Sequence, residues 1–168
     1  MLGRASEKQR EIYDTVLRAQ KAALDVIRAG MTGSEVDRAA RRIIEEAGYG
    51  QCFGHGLGHS VGLFIHEEPR LSPADDTVLE AGMSETVEPG IYLPGFGGVR
   101  IEDLVIVTED GCRNLTRSPK ELIETVIECQ WIKTLTFSLF VRMMVAGRVR
   151  TGTTKVHLGG TNYHVFIG

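Results

Sequence analysis

The chain has little cysteine, few aromatic residues and no acid in its last forty positions. Its 168 residues hold three cysteines, five prolines and one tryptophan, and 7% are aromatic. Cys52, Cys112 and Cys129 are odd in number and irregularly spaced. That argues against a disulfide framework and for a reducing, cytoplasmic compartment. No run approaches the roughly 18 apolar residues of a membrane span. The opening Met1-Leu2-Gly3-Arg4-Ala5-Ser6-Glu7-Lys8 holds no apolar signal segment. Insertion into a membrane and secretion are both disfavoured. A net charge of -3 also leaves no basic excess to hold nucleic acid. What remains, with 42% apolar residues, is a globular chain long enough to bury a core.

The charge is unevenly spread. Up to Glu128 there are 14 basic residues against 22 acidic ones, a net of -8, whereas residues 129–168 carry five basic residues and no acid. The break divides the chain into a part at 1–128 and a basic tail at 129–168, read either as an interaction tail or as sequence joined from elsewhere.

Ser6 with Gln9 makes a capping-box pattern ahead of Ile12, Val16, Ala19, Ala23 and Ile27, which predicts a helix over 6–29. Thr32 with Glu35 repeats the pattern ahead of Val36, Ala40 and Ile44, with Gly48 as the stop. Beyond Gly50 glycine becomes dense, and strand-like runs at 61–66, 84–93 and 99–108 alternate with turn signals. The expected fold class is α+β, with helices packed on a curved antiparallel sheet. Ser118-Pro119-Lys120-Glu121 predicts another helix start, running past Trp131. In the tail, Gly159-Gly160 between two apolar stretches predicts a hairpin.

Three of the five histidines, His55, His59 and His66, fall within twelve residues among glycines. Imidazole binds metals and exchanges protons near neutral pH, and glycine lets the backbone approach a ligand closely. Taken singly, such a histidine is as readily structural, and Glu88 or Glu102 as readily a solvated strand residue. His55 and His59 are four apart, but the glycines between them argue against a helix-borne zinc-protease motif. Glu67 and Glu68 read as loop or rim groups, His157 and His164 as incidental.

The order Gly54-His55-Gly56-Leu57-Gly58-His59, then His66-Glu67-Glu68-Pro69, then Val87-Glu88-Pro89-Gly90-Ile91-Tyr92, then Val99-Arg100-Ile101-Glu102-Asp103 resembles the pita-bread metallopeptidases. It looks most like their Xaa-Pro dipeptidase and aminopeptidase P branch, which is related to methionine aminopeptidase. The likeness runs from about Leu2 to Ile123. It implies His59, Glu88 and Glu102 as metal ligands, His55 and His66 as histidines that contact the scissile peptide, and Arg100 as a residue orienting substrate or Glu102. It further implies hydrolysis of Xaa-Pro bonds by a metal-activated water, with Glu88 carrying the proton and a peptide with proline at its second position as partner. Two divalent ions serve the family, manganese most often, with cobalt, zinc or iron as alternatives. Cys52, although beside the site, has no part in this chemistry.

The family's two aspartate ligands come from a strand pair that this sequence does not contain. The resemblance is thus to the carboxy-terminal part of an incomplete pita-bread fold. Asp14, Asp25 and Asp37 are expected on helix surfaces and do not replace those ligands. At most one ion is expected per chain, with impaired activity. The alternative is an inactive fragment or a peptide- or protein-binding module. An exposed sheet edge favours self-association, unless the tail hairpin covers that edge.

Overall fold

The computed structural model describes residues 3–125 and the strands at 153–158 and 161–166. Two compact units divide the chain, one of residues 6–122 and one of residues 1–5 with 123–168.

The first unit begins with α1 (Glu7–Val26) and α2 (Gly33–Glu46), each opened by a complete capping box: Ser6 with Gln9, and Thr32 with Glu35. The local signals therefore act as expected, although α1 stops three residues short of the predicted 29 because Ile27 turns extended. A five-stranded antiparallel sheet follows, in the order β2-β1-β3-β6-β7, formed by β1 (Gly58–Ser60), β2 (Glu67–Leu71), β3 (Ser84–Val87), β6 (Asp103–Val107) and β7 (Cys112–Asn114). A separate hairpin pairs β4 (Gly90–Leu93) with β5 (Gly97–Arg100).

α1 lies against α2 and β3, and α2 against β2. Ile12, Val16, Ala19 and Ala23 of α1 join Val36, Ala40 and Ile44 of α2 and Leu71, Val87, Val105 and Val107 of the sheet in one buried cluster. Alternation along β3 and β6 separates this core from the opposite face. Val87, Val105 and Val107 point into the core, whereas Thr86 and Leu104, directly opposed across the two strands, line a cavity on the other side. Where β1 crosses β3, a Cβ on Gly58 would stand 1.8 Å from the Thr86 carbonyl oxygen, so only glycine fits.

Three expectations about elements are corrected. Residues 61–66 form an irregular loop rather than a strand, with Leu63, Phe64 and Ile65 largely exposed. The runs at 84–93 and 99–108 are each broken in the middle, at Glu88-Pro89 and at Ile101-Glu102. At both breaks the chain passes between the large sheet and the β4–β5 hairpin. The helix expected from Ser118 is absent through Thr125, the last described residue before the tail strands. Tertiary contacts overrule its cap: the Tyr13 hydroxyl donates to the Lys120 carbonyl at 3.2 Å, and the Lys120 ammonium reaches the buried Asp103.

In the second unit, the Gly3 amide donates to the Thr125 carbonyl at 2.9 Å. The tail hairpin forms as β8 (Thr153–Leu158) and β9 (Thr161–Phe166), paired in register with each other. They make a two-stranded sheet, β8 with β9. The charge break at Cys129 and the predicted helix beyond 125 lie outside the described residues. No described helix is long and apolar enough to cross a membrane.

Candidate functional site

An open cavity of about 700 Å³ lies on the sheet face opposite the helices, and all six residues singled out by sequence line it: His55, His59, His66, Glu88, Arg100 and Glu102. They arrive from separate elements. His59 is central in β1, His55 precedes that strand, and His66 ends the loop before β2. Glu88 follows β3, Arg100 ends β5, and Glu102 sits in the link to β6. Both glutamates thus lie just beyond strand ends rather than on strands, which corrects the sequence expectation. There the backbone is turning between sheets, and a side chain can face the cavity floor.

Within the site His59 and Glu88 are neighbours, with Nε2 and Oε1 3.2 Å apart and both side chains 14% exposed. His59 Nδ1 lies 3.0 Å from the Ser60 carbonyl oxygen, which can only accept. With the Ser60 carbonyl taking an Nδ1 proton, Nε2 is left turned to Glu88 Oε1; two such acceptors side by side are the arrangement that a bound cation between them would satisfy. His66 meets the His59 ring edge-on, with centroids 4.5 Å apart.

His55 follows the same logic. Nδ1 is 2.7 Å from the Gly56 carbonyl oxygen, and Nε2 is 3.1 Å from the Tyr92 hydroxyl. As a neutral ring it donates to Gly56 and accepts from Tyr92. Arg100 stands between the carboxylates, its Nε 3.6 Å from Glu88 Oε2 and 3.7 Å from Glu102 Oε2. Tyr92 first, then those two carboxylates, hold the guanidinium pKa above its ordinary value, against some desolvation.

One imidazole nitrogen and two hard carboxylates are a donor set suited to manganese or zinc. The fit is partial, however. His59 and Glu88 converge, whereas Arg100 occupies the space between Glu88 and Glu102. Among the described residues no three metal-donor side chains come together.

Sequence reasoning missed three contributors. Thr86 accepts from the His59 amide at 3.0 Å and donates to Glu88 Oε1 at 3.0 Å, tying the two together. Its position two residues before Glu88, on the same strand face, was a usable signal. Tyr92 lay within the motif that carries Glu88 but had no assigned role. Asp37, expected on a helix surface, is instead 1% exposed and paired with Arg41 at 2.7 Å. Glu67 and Glu68, expected as loop or rim groups, stand instead on β2: Glu67 accepts from the Phe64 amide, and Glu68 pairs with Arg70 at 3.0 Å. Cys52 and Cys112 are free thiols, and neither lines the cavity.

Residues 1–109 match metallopeptidase family M24. The chain is 56% identical over 123 residues to an Xaa-Pro dipeptidase of Pyrococcus furiosus, covering 73% of this chain and 35% of that protein. It superposes on an Xaa-Pro dipeptidase structure from Bacillus anthracis with a TM-score of 0.73 at 56% identity, covering 74% of this chain and 35% of the other. An X-Pro aminopeptidase structure from Thermotoga maritima matches with a TM-score of 0.72 at 44% identity, over 74% and 35% of the two chains. The fold is an incomplete pita-bread fold of the α+β class. The chain spans about a third of the length of the curated relatives it matches.

Proposed function

Because the chain belongs to metallopeptidase family M24, we propose that it carries one wall of an Xaa-Pro peptidase site. The observation that supports this reading is the meeting of six residues from separate segments in a single cavity. In this reading His59, Glu88 and Glu102 would hold at most one divalent ion per chain, manganese before zinc, cobalt or iron. Such an ion supplies a water of lowered pKa and a positive charge near the scissile carbonyl.

The chain's own residues account for the rest. Glu88 takes the proton released by the attacking water and delivers it to the proline nitrogen as the C–N bond breaks. Thr86 holds Glu88 beside His59 for that role. His55 and His66 contact the scissile peptide, and Arg100 orients Glu102 or the substrate. The partner is a peptide with proline at its second position. Free thiols at Cys52 and Cys112 support a reducing, cytoplasmic setting. The exposed Leu63-Phe64-Ile65 loop and the sheet edges at β2 and β7 support self-association.

Hydrolysis of an Xaa-Pro dipeptide with added manganese, measured against His59→Ala, tests the proposal. Turnover above that variant is the expected result. Equal rates would remove the enzymatic reading.

One observation favours a second reading, a peptide-binding module without turnover. Arg100, at 3.6 and 3.7 Å from Glu88 and Glu102, already offsets one of their two negative charges, so the pair is partly compensated without a metal. Binding of an Xaa-Pro peptide unaffected by chelator would support this second reading.

A further inference from the structure

We infer that Asp37 and Arg41, on α2, are positioning residues for His55. Their ion pair is bidentate: Arg41 Nε donates to Asp37 Oδ2 at 2.7 Å and Nη2 to Oδ1 at 2.9 Å. The same guanidinium donates outward from Nη1 to the Phe53 carbonyl at 3.1 Å and from Nη2 to the His55 carbonyl at 2.8 Å. Asp37 Oδ1 in turn accepts the Leu57 amide at 3.0 Å. One buried fork therefore grips the backbone at residues 53, 55 and 57.

A second contact reaches the ring. The Arg41 guanidinium lies over the Phe53 ring at 4.2 Å from its centroid, and Phe53 meets the His55 ring edge-on at 5.1 Å. The loop needs this outside support. Residues 53–57 lie in no helix or strand, and Gly54 and Gly56 flank His55. Glycine on both sides leaves the backbone free to place His55 in many orientations. The fork selects one, in which the Nδ1 proton meets the Gly56 carbonyl and Nε2 faces Tyr92.

Residue type follows from this task. Several donations from one rigid plane, to a carboxylate and to two carbonyls, suit a guanidinium, whereas an ammonium is a point charge with three donors. Asp37 at 1% exposure and 2% side-chain exposure is buried deeply enough that losing its cation alone would destabilise the fold. A buried pair replaced by apolar residues of similar volume is often tolerated, which separates support of the fold from placement of the histidine. The consequence for hydrolysis rests on the proposal that His55 meets substrate. The placement itself does not.

The test uses ¹⁵N-resolved spectra of the histidine side chains in the full chain, for Arg41→Lys and for the double variant Asp37→Leu with Arg41→Met. His59, on β1, serves as internal reference, and the amides of α2 report folding. The expected result is that the distinct His55 tautomer signals collapse toward the exchange average in both variants. His59 and the α2 amides should stay in place. Leu57 amide exchange should quicken at least tenfold in the double variant. His55 signals unchanged in either folded variant would overturn the inference. So would parallel loss of His55, His59 and α2 signals in both, because the pair would then merely hold the fold together. Neither outcome depends on turnover, so a failure of the peptidase proposal would be seen separately.

Discussion

Replacing Glu85 with glutamine is expected to stabilise the fold by an amount that grows as the pH rises. Glu85 is fully buried in β3, on the face shared with Val87, and neither carboxyl oxygen has a partner among the described residues. The facing hydroxyl, Ser60 Oγ, is close enough to oppose the effect of burial weakly, but its hydrogen bond goes to the Ser84 carbonyl at 2.9 Å. Burial, reinforced by Asp75 and Glu68 and only partly offset by Ser60, pushes the Glu85 pKa up from 4.5 to about 8. Below pH 4.5 the carboxyl is protonated whether folded or unfolded, and its contribution is fully retained. As pH rises from 4.5 toward the folded value near 8, the unfolded chain releases the proton while the native state must keep it, so stability is lost progressively and the loss levels off above that value. At about 1.4 kcal/mol per pKa unit the whole shift corresponds to roughly 5 kcal/mol, and near pH 7 to about 3 kcal/mol. Glutamine keeps the shape and an unsatisfied amide but cannot ionise. Urea unfolding at pH 5, 7 and 8.5 is the assay. The two proteins should lie within about 1 kcal/mol of each other at pH 5, and E85Q should be ahead by about 4–5 kcal/mol at pH 8.5. Parallel stability profiles across that range would refute the reasoning.

Other expected outcomes follow from single contacts. Gly58→Ala sets a methyl 1.8 Å from the Thr86 carbonyl oxygen, where backbone cannot yield cheaply; a loss of about 3 kcal/mol or more in chemical unfolding is expected, near the top of the overpacking range. Thr32→Ala removes the hydroxyl that accepts the Glu35 amide at 3.2 Å and should cost about 1 kcal/mol in the same assay. Arg100→Leu removes a half-exposed cation that competes for Glu88 and Glu102; manganese affinity by titration should rise about fivefold, on the order of 1 kcal/mol for a screened charge at that distance. A fall in affinity would instead make Arg100 a support of the metal site.

The two helices were legible because their determinants are local. Each capping box links residues three apart, and each apolar stripe repeats within one element. The residues that line the cavity were legible too, through the resemblance of the ordered histidine and glutamate motifs to the pita-bread metallopeptidases. The strand breaks at Glu88 and Glu102 were not, because apolar runs look continuous whether a strand stays in one sheet or passes to another. Asp37 read as a surface residue because a charged side chain on a helix is usually solvated. Its burial depends on Arg41 and on the Leu57 amide, a partner twenty residues away.

By itself, then, the sequence determined helices α1 and α2, the family, and six residues that come to line one cavity, through capping boxes, apolar stripes and ordered motifs. Tertiary structure alone decided three further things. It set Arg100 between the two glutamates, left Glu85 buried without a partner, and placed His55 under the control of a fork on α2. Each of these depends on which backbone and side-chain groups meet across distant segments. In a close-packed interior, such meetings are settled by hydrogen-bond satisfaction and desolvation together rather than by the character of any one residue.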